Sequence, residues 1–193
     1  HAKSGTDHPF FIQCSFPDPH HPFTPPGKYW DMYDAADVPA PDAFHHAADK
    51  LPPHVATLHG ARDDGSRITA GMTVFACTED EARAAIAHNY GSITMIDDAI
   101  GRVLARLAAL GLADDTVVIF TTDHGDFLGD HQLILKGAIH YQGLIRVPCI
   151  WSDPAESGGG GVVDSPCGTL DLAPTIVKRA GLEGFIGMQG LDL

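Results

Sequence analysis

An aspartate and a histidine directly follow a run of apolar and β-branched residues, and this pair offers the most informative chemistry in the chain. Residues 116–122, TVVIFTT, end at Asp123 and His124. A continuous apolar run of this kind is typical of a strand covered on both faces of a parallel sheet. Ligands of open α/β sheets bind beyond the carboxyl ends of the strands. A carboxylate and an imidazole there suit a divalent metal ion, although two ligands never complete a coordination shell and an ordinary turn fits equally well.

A lysine and two adjacent histidines add groups that suit an anionic ester. Lys136 lies in the stretch ILKGA. Its ammonium is a compact positive charge that binds an anion or stabilises a negative leaving group. His20 and His21 lie in the loop PHHPF. Imidazole exchanges protons near neutral pH, which suits proton transfer to an oxygen. Taken alone, each of these residues also fits a solvated position in a loop.

Together these segments resemble the sulfatases, a family of the alkaline-phosphatase-like superfamily of sulfate and phosphate ester hydrolases. The motifs that carry the resemblance are TTDHG, GDH, KG and RVP within residues 116–148, and PHHPF at residues 19–23. The resemblance implies that Asp123 and His124 are metal ligands, with Ca²⁺ the usual ion. Because histidine is an unusual ligand for a hard cation, Mn²⁺, Mg²⁺ and Zn²⁺ stay open.

The same resemblance implies roles in substrate binding and catalysis for two further residues. Lys136 is expected to contact the sulfate or phosphate oxygens. His20 is expected to face the ester and to hydrogen-bond or protonate the leaving-group oxygen, while His21 points away. Three residues of the turn after the metal ligands are expected to support the loop rather than to react: Asp126, Asp130 and His131.

The nucleophile that the resemblance implies is expected outside this chain. Sulfatases use the cysteine of the pattern C-x-P/A/S-x-R, which is oxidised to formylglycine. None of the chain's four cysteines begins that pattern. We therefore assign residues 1–193 to the C-terminal portion of a sulfatase catalytic domain, with the nucleophile half and a small C-terminal subdomain absent. The chain alone is expected to be inactive, while the parent protein hydrolyses a small-molecule sulfate ester.

Two alternatives to a sulfatase stay open at this stage. The first is a phosphonate monoester or phosphodiester hydrolase of the same superfamily, which shares the Asp-His and Lys spacing. The second is a non-catalytic, metal-binding relic of the fold. The region that carries the nucleophile would separate the enzymes from the relic.

Composition limits the classes of partner. The formal net charge is −13 with 44% hydrophobic residues, which disfavours nucleic acid, because its binding requires a cationic surface. No apolar run approaches the roughly 20 residues of a membrane span, and the first residues show no signal-peptide pattern. The compartment is therefore not indicated. Cys14 and Cys149 lie in apolar runs, where buried free thiols are common.

The elements that must position these groups predict an incomplete α/β fold, alkaline-phosphatase-like, with a mostly parallel sheet flanked by helices. Strands are predicted at residues 10–16, 116–121 and 147–151. The capping box TEDE begins an amphipathic helix over residues 79–110, either continuous or jointed near Gly91. A last helix covers residues 169–180, with Pro174 in its first turn. Residues 28–71 are predicted to be irregular, with a short helix near residues 42–49.

Overall fold

Helices and strands alternate along the chain in the computed structural model, which describes residues 8–46, 50–71, 73–156 and 160–193. They fall into two compact units, His1–Pro154 and Ala155–Leu193. The elements in chain order are α1 (Pro53–Asp63), β1 (Phe75–Ala76), α2 (Glu79–Ala109), β2 (Val118–Thr121), β3 (Leu133–Ile134), α3 (Gln142–Ile145), β4 (Cys149–Ser152) and α4 (Thr169–Arg179).

The long helix α2 begins at the capping box that the sequence predicts. The Thr78 hydroxyl accepts the Glu81 backbone N–H at 3.3 Å, and the Glu81 carboxylate accepts the Thr78 N–H at 2.8 Å. The helix runs unbroken through Gly91. A Cβ at Gly91 would lie 2.2 Å from the backbone oxygen of Tyr29, so this glycine lets residues 27–33 pack directly against the helix.

The α/β class is confirmed, but the predicted strand pairing differs from the pairing observed. β2 and β4 pair antiparallel, with Ile119 opposite Trp151, and β1 pairs antiparallel with β3. The loop between β2 and β4 turns the chain back beside β2, whereas a parallel pair needs a crossover connection. The strand pairs of the described residues are thus antiparallel, and the mostly parallel sheet stays a prediction.

The segment 10–16 is also not the buried strand that its apolar sequence predicts. It has no strand assignment, and Phe11 and Ile12 are 75% and 72% exposed. An extended segment becomes a strand only when a neighbouring strand pairs with it, and no strand pairing of the described residues includes this segment. Cys14 and Cys149 are consequently exposed, against expectation, while Cys77 is buried.

The core of the first unit lies around β1 and β3 and anchors the loop that follows β2. Phe127, from that loop, is 1% exposed. It belongs to one apolar cluster with Val55 of α1, Leu133 of β3 and Leu144 of α3. Burying a side chain of this size contributes on the order of 1.5–3 kcal/mol. The loop that carries Asp123 is thus fixed by its own buried phenylalanine.

Two local features escape the sequence patterns. Helix α1 has only Val55 and His59 buried, which is too few for an apolar stripe, so its period is not visible. The predicted short helix near residues 42–49 is a 3-10 turn at Asp42–His45, and residues 47–49 lie outside the described residues. No helix in the described part of the chain is long and apolar enough to cross a membrane.

In the second unit, Pro174 lies inside α4 rather than in its first turn. Proline cannot donate to the carbonyl one turn earlier, which here belongs to Leu170. Gly190 packs against that carbonyl, so closely that a Cβ would lie 2.4 Å from the Leu170 oxygen. The Asp171 carboxylate accepts the N–H groups of Gly168 at 2.8 Å and Leu191 at 2.7 Å, which ties the chain end to the helix start.

Candidate active site

Asp123 and His124 follow the last residue of β2, at its carboxyl end. Asp123 Oδ1 accepts the His124 backbone N–H at 3.0 Å and contacts the Thr122 hydroxyl at 3.3 Å. Burial alone would raise the pKa of Asp123, but the His124 ring and these hydrogen bonds lower it overall. The side chain is 83% exposed. Asp123 therefore presents an ionised carboxylate to a ligand.

The His124 ring is oriented so that one nitrogen is available to a metal ion. Nδ1 lies 2.7 Å from the carbonyl oxygen of Gly125, and because a carbonyl only accepts, Nδ1 carries the hydrogen. Nε2 lies 3.5 Å from Asp123 Oδ2. Metal-bound histidines commonly donate their other ring N–H to a carbonyl or carboxylate. For comparison with this 3.5 Å, two ligand atoms that are each about 2.1–2.4 Å from one metal ion, and subtend a right angle at it, lie about 3.0–3.4 Å apart.

The turn that carries this pair is packed against α3 by two glycines. Gly125 N–H donates to the Leu144 carbonyl at 2.8 Å. A Cβ on Gly125 would lie only 2.0 Å from the Gly143 oxygen, and one on Gly143 would lie 2.3 Å from Asp130 Oδ2. Side chains at these positions would push the turn away from the helix. The sequence gives no hint of this contact, which joins segments far apart along the loop.

Asp126 is half-buried and supports the loop, as the sequence predicts. Its Oδ1 accepts the N–H groups of Leu128 at 3.1 Å and Leu135 at 3.0 Å. Burial raises the pKa of Asp126, against the opposing effect of those two hydrogen bonds. The Leu135 bond places Lys136, the next residue, beside the same carboxylate. Lys136 is half-buried, and its ammonium has no hydrogen bond or ion pair with any described residue.

Two neighbouring residues of the same turn also serve its structure. The His131 ring stacks on Tyr141 with ring centroids 3.8 Å apart, and the His131 carbonyl accepts from His59 Nε2 at 2.9 Å. Asp130 reaches Gly143, as described above. These contacts agree with the expectation that Asp130 and His131 support the loop.

The histidine pair in PHHPF combines one exposed ring with one ring whose nitrogens are buried. The two rings stack with centroids 4.1 Å apart, and His20, which is exposed, has Nδ1 2.6 Å from the His21 carbonyl. Both ring nitrogens of His21 are buried and have no hydrogen-bond partner in the part of the chain that the structure describes. Burial lowers the pKa of His21, and the charges of His20 and Lys136 lower it further while Asp126 opposes them. His21 is thus a buried ring on which the charges of Lys136 and Asp126 act, and its orientation relative to an ester stays a prediction.

Sequence reasoning missed the residue that holds this loop in place. Asn89 of α2 is buried and directs Nδ2 to the Pro19 carbonyl at 3.4 Å. Its only sequence signal is an amide within the apolar face of a predicted helix. Such a side chain must find a partner when it is buried.

The structure thus brings the predicted residues together in two groups. Asp123 and His124 form the first, and the histidine loop joins Lys136 and Asp126 in the second. Asp123 and Asp126 belong to one loop, which links the groups along the chain. Among residues 8–46, 50–71, 73–156 and 160–193, no cluster of three or more His, Cys, Asp or Glu side chains is arranged to hold a metal ion. The donor pair therefore fits a metal site only as part of a larger ligand set.

Comparison with known proteins gives consistent matches. The family model described as Sulfatase matches residues 2–182. The arylsulfatase of Clostridium perfringens (strain 13 / Type A) is 35% identical over 188 residues, which cover 96% of this chain and 37% of that protein. The multifunctional alkaline phosphatase superfamily protein PehA of Trinickia caryophylli is 34% identical over 207 residues, covering 100% of this chain and 38% of that protein.

Solved structures agree with the sequence matches. The phosphonate monoester hydrolase of Agrobacterium radiobacter superposes with a TM-score of 0.79 at 32% identity, covering 99% of this chain and 38% of that chain. A likeness of this extent shows that the chain shares the fold of these hydrolases. The chain spans less than two fifths of the length of each of these three relatives.

Proposed function

We propose that the whole protein is a sulfuric ester hydrolase. The proposal starts from the family: this chain belongs to the sulfatase family, whose model matches residues 2–182. The observation that supports the proposal most directly is the arrangement of Asp123 and His124. An ionised carboxylate and an oriented imidazole Nε2 lie 3.5 Å apart at the end of β2. The substrate class is a small-molecule sulfate ester.

Asp123 and His124 would hold a divalent metal ion together with ligands from elsewhere in the protein. Ca²⁺ is the ion proposed first, with Mn²⁺, Mg²⁺ and Zn²⁺ as alternatives. When bound, the ion supplies positive charge that polarises the reacting group and offsets charge developing on its oxygens. The Gly125 carbonyl contributes by fixing the His124 tautomer, since it accepts the Nδ1 hydrogen at 2.7 Å.

Lys136 is proposed to bind the sulfate oxygens. An ammonium that is half-buried and forms no ion pair with the described carboxylates is available to an anion. During the reaction the bond between sulfur and the alcohol oxygen breaks, and negative charge grows on that oxygen. A fixed cation beside it lowers the energy of the transition state relative to the ground state.

His20 is proposed to give the proton that the departing alcohol requires. Its Nδ1 hydrogen is donated to the His21 carbonyl at 2.6 Å, so the proton for transfer sits on Nε2 of the imidazolium form. His21 is proposed to act through His20, because its ring stacks on that of His20 with centroids 4.1 Å apart. General acid catalysis of this kind contributes typically 10²–10⁴-fold.

The chain is proposed to be the C-terminal portion of a sulfatase catalytic domain, with a formylglycine nucleophile supplied by another part of the protein. None of the four cysteines begins the pattern C-x-P/A/S-x-R. We further propose that the extended residues 10–16 and strand β2 join a mostly parallel sheet in the whole protein. The exposed Phe11 and Ile12 support this, since strands of such sheets are apolar on both faces.

A second function is favoured by one specific observation. Among solved structures the phosphonate monoester hydrolase of Agrobacterium radiobacter matches 99% of this chain. Hydrolysis of a phosphonate monoester or phosphodiester is therefore the alternative reaction at the same residues. A non-catalytic, metal-binding relic is the remaining alternative.

The test compares two chromogenic esters with the whole protein, 4-nitrophenyl sulfate and 4-nitrophenyl phenylphosphonate, with metal content measured on the same samples. We expect a higher kcat/KM for the sulfate. Asp123→Asn should lower metal affinity by at least about 10–100-fold and abolish most turnover, while Asp97→Asn, an exposed carboxylate on α2, should change neither. Preference for the phosphonate would select the alternative. Turnover by the 193-residue chain alone would contradict our placement of the nucleophile.

A further inference from the structure

A recess lies on the first unit, between residues 30–35 and the first third of α2. Its volume is about 290 Å³, and its lining includes Trp30 and Tyr33 together with the carboxylates of Asp31 and Asp34. None of the residues assigned above to metal, sulfate or proton transfer lines it. We call it the aromatic cleft. It is large enough for a ligand of a few heavy atoms.

The two aromatic rings of the aromatic cleft are held in place by neighbours on α2. The Trp30 indole stacks on the His88 ring, with centroids 4.1 Å apart and an interplanar angle of 27°. The Tyr33 hydroxyl hydrogen-bonds with Thr94 Oγ1 at 2.8 Å. The rings remain 43% and 39% exposed, respectively, despite this support. Rings fixed by packing lose little further freedom when a ligand binds, so the aromatic cleft is preorganised.

The charge of the aromatic cleft has one sign. Asp34 uses Oδ1 to accept the Ala36 N–H at 2.8 Å, which fixes the turn. The Asp31 carboxylate makes no hydrogen bond or ion pair with any described residue. Lysine and arginine are absent from the lining among the described residues. An anion would be repelled here, whereas a cation would gain from both carboxylates and from the negative faces of the rings.

We propose that the aromatic cleft binds a small organic cation, of the quaternary ammonium class. The apolar methyl groups of such a cation pack on Trp30 and Tyr33, and its charge is balanced by Asp31 and Asp34. Aromatic rings with nearby carboxylates suit this ligand better than a metal ion, because an onium needs no inner shell of oxygens. The inference does not depend on the proposed sulfatase reaction.

Two sources supply such a cation, and the position of the aromatic cleft makes both testable. His88, beside Trp30, precedes Asn89, which holds the Pro19 carbonyl of the histidine loop at 3.4 Å. The cation is therefore either the far end of an ester whose sulfate reacts near that loop or a separate molecule.

Calorimetric titration of the whole protein with tetramethylammonium chloride at constant ionic strength tests the site. We expect saturable binding, with no binding of the neutral analogue tert-butanol. Asp31→Asn should weaken binding about fivefold, as expected for one charge at about 4 Å in a solvated setting. Trp30→Ala should weaken it about threefold or more. Asp97→Asn removes an equal charge from α2, outside the aromatic cleft, and should leave the affinity for tetramethylammonium within about twofold.

The source is decided by kinetics with a matched pair of sulfate esters, one bearing a trimethylammonium group and one a tert-butyl group. If the cation belongs to the substrate, Asp31→Asn raises KM for the charged ester alone. If it is a separate ligand, both KM values stay unchanged while calorimetry still detects tetramethylammonium. Absence of saturable binding, equal binding of tert-butanol, or equal effects of Asp31→Asn and Asp97→Asn would overturn the inference. Failure of both esters to react would contradict the sulfatase proposal and leave calorimetry to decide the cation site.

Discussion

Replacing Lys136 by methionine isolates the charge of its side chain from its bulk. The ammonium is half-buried and has no hydrogen bond or ion pair with the described residues, so its loss breaks no structural contact. We therefore expect the free energy of unfolding to change by less than about 0.5 kcal/mol. Turnover of 4-nitrophenyl sulfate by the whole protein should fall by about 10²–10³-fold, or about 2.7–4 kcal/mol of transition-state stabilisation, as for other fixed groups that meet developing negative charge.

The structure gives this substitution a second readout that does not require catalysis. The Lys136 charge is one cause of the lowered pKa of His21, after burial and the His20 charge, while Asp126 opposes all three. Removing the Lys136 charge should therefore raise the pKa of His21 toward its ordinary value. A titration of the histidine ring signals by NMR, assigned with a His21→Asn sample, measures this directly.

Lys178→Met is the matched control. This lysine is 72% exposed and pairs with Asp192, so its loss should leave both kcat/KM and the His21 titration unchanged. Exposed pairs of this kind contribute about 0–1 kcal/mol. The reasoning on Lys136 fails if Lys136→Met retains activity within about threefold of the parent. It also fails if the pKa of His21 falls or does not move, because Lys136 would then not face that ring.

The remaining predictions concern what holds the first unit together. Hydrogen bonding to Arg67 lowers the pKa of Glu81 from 4.5 to about 2, although burial opposes the shift. The ionised Glu81 carboxylate therefore stabilises the folded state above about pH 4.5, and this stabilisation is lost as the pH falls toward 2. Glu81→Gln should lower the free energy of unfolding by about 1 kcal/mol at pH 7 and by much less at pH 2.5 in urea titrations; equal losses would refute this. Gly125→Ala should lower the free energy of unfolding by at least about 2 kcal/mol, since its Cβ would meet the Gly143 oxygen at 2.0 Å. Gly101→Ala is the control: a Cβ there has nothing within 4 Å, so the free energy of unfolding should be unchanged or higher in the same urea titration.

The parts of the fold that sequence predicts well are those fixed by local interactions. The start of α2 follows from Thr78 and Glu81, which bond to each other's backbone within one turn. Strand β2 follows from an uninterrupted apolar run. Strand pairing does not follow in this way, because the sequence of β2 does not state whether β4 or another segment lies beside it. Residues 10–16 show the limit clearly: their apolar character predicts burial, yet a strand needs a partner that the sequence of the strand does not name.

For the candidate site, the sequence predicted residue types and the structure added orientation. The pattern PHHPF identifies two histidines but does not indicate which imidazole is buried. That choice depends on the stack of His20 on His21 and on Asn89, which is far away along the chain. The aromatic cleft was missed for a related reason. Trp30 and Tyr33 lie in a segment without periodicity, and only their packing on α2 brings the rings together.

An acidic protein can hold an anion when the competing charges are local and already occupied. The net charge of −13 is spread over the surface, and exposed charges farther away than about 8–10 Å are largely screened at physiological salt. The charge of Lys136 acts on the carboxyl group of Asp126, whose Oδ1 already accepts two backbone N–H groups at 3.1 and 3.0 Å. The lysine is thereby positioned by a neighbour that does not form an ion pair with it. Its ammonium is therefore free of competition from Asp126 for the sulfate oxygens that we propose it binds, whereas the carboxylates of the aromatic cleft are proposed to bind a ligand of the opposite sign.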